Sequence, residues 1–93
     1  MPQVKTVEAK IFSLEGFKVK ILTAEGADVR SDKLLEAQFD QHTNRAAGGM
    51  TVAGWKRVRF APQFVGLTVA VLLYNGTPAS GHMQLATVRN SYR

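Results

Sequence analysis

The chain has 93 residues, no cysteine, 45% apolar side chains and a net charge of +5. That excludes a disulfide scaffold, a thiolate metal site and a disordered basic tail, and leaves one small domain, 1–93, in a reducing compartment. The longest apolar run, Val69 to Tyr74, is strand-sized and far below the roughly 20 residues that span a bilayer.

Val7 to Leu14 alternates Val7, Ala9 and Ile11 against Glu8, Lys10 and Phe12, a period of two that predicts a half-buried strand. Glu15-Gly16 reads as a tight turn into a second strand carrying Phe17, Val19 and Ile21, hence a hairpin. Ala24-Glu25-Gly26 turns again, toward a short strand through Asp28 and Val29. Ser31 or Asp32 is an N-cap candidate, and Leu34, Leu35 and Phe39 give the stripe of a helix from about Asp32 to Asp40. Gln41 to Gly49 is a polar loop ending in two glycines.

Thr51 is the next cap candidate. Val52, Trp55 and Val58 follow at spacing three, a short helix stopped by Pro62. Leu67 to Tyr74 predicts a strand, Asn75-Gly76 a type I′ hairpin turn, and Thr77 to Ser80 the returning strand. Leu85, Val88 and Tyr92 support a terminal helix, while Met83, Leu85 and Thr87 also alternate as a strand would. The expected fold is α+β: an antiparallel sheet of about five strands with two or three short helices on one side.

The chain also echoes itself at an offset of 50 residues. Phe17, Val19, Ile21 and Leu22 align with Leu67, Val69, Val71 and Leu72, Gly26 with Gly76, and Leu35 with Leu85. The matched glycines suit a shared turn geometry, since glycine accepts positive φ. Each copy is expected to be a strand-turn-strand-helix unit, two of them packed about a pseudo-two-fold axis. Such similarity is also what any two hairpins leading into helices would show.

Charge divides the chain. Glu8, Glu15, Glu25, Asp28, Asp32, Glu36 and Asp40 are all the carboxylates, so residues 1–40 sum to −1 and residues 41–93 to +6. The cations beyond Gln41 are Arg45, Lys56, Arg57, Arg59, Arg89 and Arg93, and they form the candidate binding surface. Guanidinium is a planar fork that grips phosphate or carboxylate with two hydrogen bonds. A surface with cations and no anions attracts polyanions or acidic proteins.

Within it, Trp55-Lys56-Arg57-x-Arg59-Phe60 interleaves cations with aromatics, a pattern that suits single-stranded RNA or DNA. Tyr74, Tyr92, Arg89 and Arg93 extend it if the terminal element lies alongside. The competing reading makes Trp55 and Phe60 core anchors and Lys56 and Arg57 a solvated helix face. His42 and His82 raise a metal-free ribonuclease toxin as an alternative, but nothing in their spacing brings them together. No metal or cofactor is implied, because the histidines lack companion ligands. Gly48-Gly49 before Thr51 lacks the Gly-Lys-Ser/Thr ending of a phosphate loop and reads as a hinge.

Three stretches bear a wider likeness: Val7-Glu-Ala-Lys-Ile-Phe-Ser-Leu-Glu-Gly-Phe-Lys-Val19, Met50-Thr-Val-Ala-x-Trp-Lys56 and Leu85-x-Thr-Val-Arg-x-x-Tyr92. Together with the small, basic, cysteine-free composition, they make the chain resemble the anti-CRISPR proteins of phages and mobile elements. That resemblance spans most of the chain and transfers no catalytic residue. It implies a steric inhibitor that contacts guide RNA or acidic patches of a Cas-type nucleoprotein complex and blocks target hybridisation, in the host cytoplasm. The sequence reading is therefore a non-enzymatic, cytoplasmic binding protein for RNA, DNA or a nucleoprotein complex, with no membrane partner and room for a homodimer. An accessory protein for an acidic partner is the remaining alternative.

Overall fold

A computed structural model of the chain describes residues 2–30, 32–35 and 44–92. Helix α1 spans Val4–Glu15 and strand β1 Lys18–Thr23. Helix α2, Val52–Trp55, runs directly into a π-helical turn, Lys56–Phe60. Strand β2 is Leu67–Leu72, and helix α3 is Leu85–Asn90.

Among the described residues the expected five-stranded sheet is replaced by a two-stranded antiparallel ribbon of β1 and β2, with three α-helices and the π-helical turn. The first cause is at the N-terminus. The segment predicted as a strand through Val7 and Leu14 is α1, which buries Val4, Val7, Ile11 and Glu15. Those positions follow the helical spacing of three to four, and the alternation of apolar residues is a coincidence of a short window. Gly16 is therefore a helix C-cap and not a hairpin turn: at φ +86° its N–H donates to the Phe12 carbonyl. The second cause is that the returning segments make single bridges, Leu22 to Asp28 and Leu72 to Pro78, without propagating. At the second, proline has no N–H to extend a ladder.

The loop at Asn75-Gly76 also differs from the type I′ expectation, which needs positive φ at both residues. Among these two only Gly76 has it, at +88°. Gly76 N–H donates to the Leu73 carbonyl and Leu73 N–H to the Thr77 carbonyl, so a type I turn is closed by a left-handed glycine. Of the helix expected from Asp32 to Asp40, residues 32–35 are not helical: Leu34 bridges to Gln3. The rest of that expectation lies outside the described residues. Thr51 caps α2, accepting from Gly54 N–H at 3.1 Å. Val58, placed on the buried stripe by its spacing, is exposed.

The offset of 50 residues has a geometric counterpart. β1 and β2 pair with Lys20 opposite Ala70, a residue opposite its own equivalent, and Val19–Val71 is repeated as Ile21–Val69. A local two-fold axis thus passes through the Lys20–Ala70 pair. Thr23 N–H to Ala27 O and Leu73 N–H to Thr77 O are both 2.8 Å, and Lys33 N–H to Arg30 O and Met83 N–H to Ser80 O both 3.1 Å. The unit that recurs is helix-strand-turn, not strand-turn-strand-helix. From helix start to glycine the second copy is two residues longer, Val52 to Gly66 against Val4 to Gly16. Its π turn, closed by Ala61 N–H to Lys56 O, absorbs part of that surplus by taking an extra residue per turn.

Both copies share one core. Val19, Ile21, Val69 and Val71 face inward from the ribbon onto Val7, Ile11, Val52, Leu85 and Val88. Phe17 meets Trp55 edge-on at 5.2 Å, and Phe60 stacks on Phe64 at 4.6 Å. Neither copy has enough apolar surface to close a core by itself, so the ribbon across the axis is where the fold is joined.

Candidate nucleic-acid interface

The last turn of α1 holds an acid in the least favourable place. Glu15 is fully buried and sits at a helix C-terminus, where the backbone dipole already presents negative charge. Cations from the far half of the chain resolve this. Arg59 Nη1 donates to Glu15 Oε2 at 2.7 Å and to the Asn44 carbonyl at 2.7 Å. Arg89 Nη2 donates to Glu15 Oε1 at 3.1 Å, Nε to the Glu15 carbonyl at 2.6 Å and Nη1 to the Ala46 carbonyl at 2.9 Å. Ala46 N–H completes the set by donating to Oε1 at 2.9 Å. Burial lowers the Arg89 pKa below its ordinary value, with Glu15 opposing that shift and Arg45 and Arg59 adding to it. Arg45 lies against Gly16, its guanidinium 3.5 Å from where a β-carbon would sit.

The six cations read from the sequence thus divide. Arg45, Arg59 and Arg89 are brought together at the end of α1. Arg59 and Arg89 are only 15% and 13% exposed there and are committed to Glu15. Those two are structural clamps, a role hidden in the sequence because their partner lies 44 and 74 residues away. Arg45 and Arg57 are exposed and Lys56 is half-buried; Arg93 lies outside the described residues. Trp55 and Phe60 are buried in the core and present no ring to a base.

Two exposed aromatics, Phe12 and Tyr74, occur elsewhere and flank the half-buried Tyr92. Phe12 on α1, Tyr74 after β2 and Tyr92 after α3 form a cluster, with ring centroids 6.0 Å apart for Phe12–Tyr92 and 5.8 Å for Tyr74–Tyr92. Lys18 Nζ lies 5.9 Å from the Phe12 ring centroid. Tyr92 is anchored by its hydroxyl, which accepts from Lys18 N–H at 2.8 Å and donates to the Leu72 carbonyl, bridging β1 and β2 where their ladder ends. Desolvation raises its pKa above the ordinary phenol value, against a lowering contribution from the Lys18 bond. A cavity of about 240 Å³ opens beside the cluster, lined by Glu8, Ala9, Phe12, Lys18, Val19 and Leu72. Phe12 escapes sequence reasoning because its segment reads as a strand and is helical, and Lys18, on a strand as expected, because its ring neighbour sits on that helix.

Of the remaining acids, Glu25 is exposed without an ion pair among the described residues, and Glu36 and Asp40 lie outside those residues. Glu8 accepts from Ile21 N–H at 2.9 Å, and Asp28 and Asp32 pair with Lys20 and Arg30 at 3.1 and 3.3 Å. Lys5, Lys10, Lys18, Lys33, Arg45, Lys56 and Arg57 have no carboxylate within ion-pair distance among the described residues. His82 is exposed, and His42 lies outside the described residues. Among those residues no three His, Cys, Asp or Glu side chains gather as a metal site, and no helix is long and apolar enough to cross a membrane. The chain matches no family model, and no curated protein or solved structure is significantly similar to it.

Proposed function

We propose that this protein is a non-enzymatic binding module whose outward-facing cations hold a nucleic acid or a nucleoprotein complex. The observation that carries this reading is the disposition of opposite charges. Glu15 is consumed inside the fold, while Lys5, Lys10, Lys18, Lys33, Arg45, Lys56 and Arg57 keep their charge unpaired among the described residues. A net +5 presented this way attracts a polyanion from a distance and gains from counterion release on contact. The cationic surface is wider than the second half of the chain, because lysines of the first half contribute once their carboxylate neighbours are engaged.

The test is binding of fluorescent single-stranded RNA and DNA across a salt series. A log-log slope of several units is expected, at about 0.7 per neutralised phosphate. No binding at low salt rules the reading out. The resemblance to anti-CRISPR proteins suggests a specific setting: occlusion of the guide or target path on a Cas-type complex. Target-DNA binding by such a complex, with and without this protein, tests that narrower form.

A further inference from the structure

We infer that the Phe12–Tyr92–Tyr74 cluster is a stacking shelf for the bases of a single-stranded nucleic acid, with Lys18 and Arg45 beside it to hold the phosphates. This rests on the binding reading above and adds the surface and the strand state of the ligand. Phe12 is 42% exposed and Tyr74 67%, unusual for large rings in a chain that buries Phe17, Trp55, Phe60 and Phe64. Tyr92 is fixed at its hydroxyl by both strands of the ribbon and holds the centre of the cluster, with the Phe12 ring tilted 42° and the Tyr74 ring 90° to it, so each exposed ring offers its own face to a base.

The surroundings carry charge of the right sign. Lys18 leans over Phe12, and Arg45 rests on Gly16, two residues before Lys18. Lys5 lies on the same face of α1 as Phe12, at the i and i+7 positions with Ala9 between. The carboxylate at the cavity rim, Glu8, is turned to the Ile21 N–H and keeps its charge there, opposite in sign to Lys18 across the same cavity. Exposed rings beside cations with no ion pair among the described residues match the requirement for single strands: aromatic faces for bases and a positive track for the backbone. A duplex hides its base faces, and an acidic peptide has no rings for the shelf to stack.

The experiment uses the full chain with fluorescein-labelled dT12 and rU12, an abasic deoxyribose-phosphate 12-mer and poly-L-glutamate. Wild type is expected to bind dT12 or rU12 at least about tenfold tighter than the abasic strand. Phe12→Ala and Tyr74→Ala should each weaken base-bearing strands by roughly 5-fold or more and leave abasic binding and the salt slope unchanged. Circular dichroism of each variant checks the fold, and Tyr74→Leu, which keeps apolar bulk without a ring, must also lose affinity. If dT12 and rU12 bind but the ring variants bind them as wild type does, the shelf is overturned and the binding module stands. Failure to bind any oligonucleotide overturns both. Equal binding of poly-L-glutamate and dT12, insensitive to the rings, assigns the cations to an acidic protein and overturns the shelf.

Discussion

Replacing Glu15 by glutamine keeps the side-chain shape and removes its charge, leaving Arg59 and Arg89 facing each other with no anion between them. Of the two bonds, at 2.7 and 3.1 Å, the one that meets the amide oxygen loses its anionic acceptor and keeps only the guanidinium charge, while the other sets the amide NH2 against a guanidinium N–H. Removing one partner of a buried ion pair costs about 3–5 kcal/mol. A domain of this size holds about 5–14 kcal/mol of total stability, so Glu15→Gln uses a large share of it. Trp55 is fully buried, and its fluorescence should report urea unfolding directly. With a slope of about 1–3 kcal/mol per M, the midpoint is expected to fall by roughly 2 M. Arg59→Gln should cost less, because Arg89 and the Ala46 N–H still hold Glu15. The double variant should show coupling above about 1 kcal/mol. A Glu15→Gln loss below about 1 kcal/mol, or additive single effects, would refute the claim that these arginines are structural.

Tyr92→Phe removes the hydroxyl bridge between Lys18 N–H and the Leu72 carbonyl and should cost about 1–2 kcal/mol in urea unfolding. Because the folded-state pKa of Tyr92 is raised, its contribution is complete below the unfolded phenol pKa and is lost as pH climbs through the folded value. Wild-type stability should therefore fall more steeply above pH 10 than that of Tyr92→Phe, and parallel curves would contradict this. Gly26→Ala and Gly76→Ala have the same φ of +88° and open surroundings, so each should cost about 1 kcal/mol and the two should agree within about 0.5 kcal/mol. A clear inequality in their thermal midpoints would break the equivalence of the two turns. Lys56→Ala with Arg57→Ala should flatten the salt slope of oligonucleotide binding by about one unit and leave the unfolding midpoint unchanged. An unchanged slope would remove that helix face from the interface.

Some of this molecule is legible from local pattern. Strand β2 and the Thr51 cap each rest on residues whose preference and neighbours agree within a few positions, while the terminal segment reads locally as helix or strand and is a helix. The correspondence at 50 residues is visible too, because matching apolar positions and a matching glycine constrain the same backbone. Other features depend on distant partners. Val4 to Glu15 satisfies both a period of two and a helical period, and the helix prevails because it buries Val4, Val7 and Ile11 on one face, which also leaves Glu15 inside to be met by arginines far along the chain. For the same reason Arg59 and Arg89 look like free binding residues until that partner is seen. The number of strands also escaped local reading, since the segments at Asp28 and Pro78 each meet their strand in a single bridge, and only at the second does a proline remove the donor.

Composition and order of residues settle the charge imbalance, the absence of thiol chemistry and the spacing of the two turns, because each is a property of the chain as a list. Which cations face water is a matter of packing: one buried carboxylate at the end of α1 draws two guanidiniums inward, and the rings of Phe12, Tyr74 and Tyr92 meet only once three separate segments converge on the end of the ribbon. Burial makes an unpaired charge costly, and contacts across tens of residues supply the pairing.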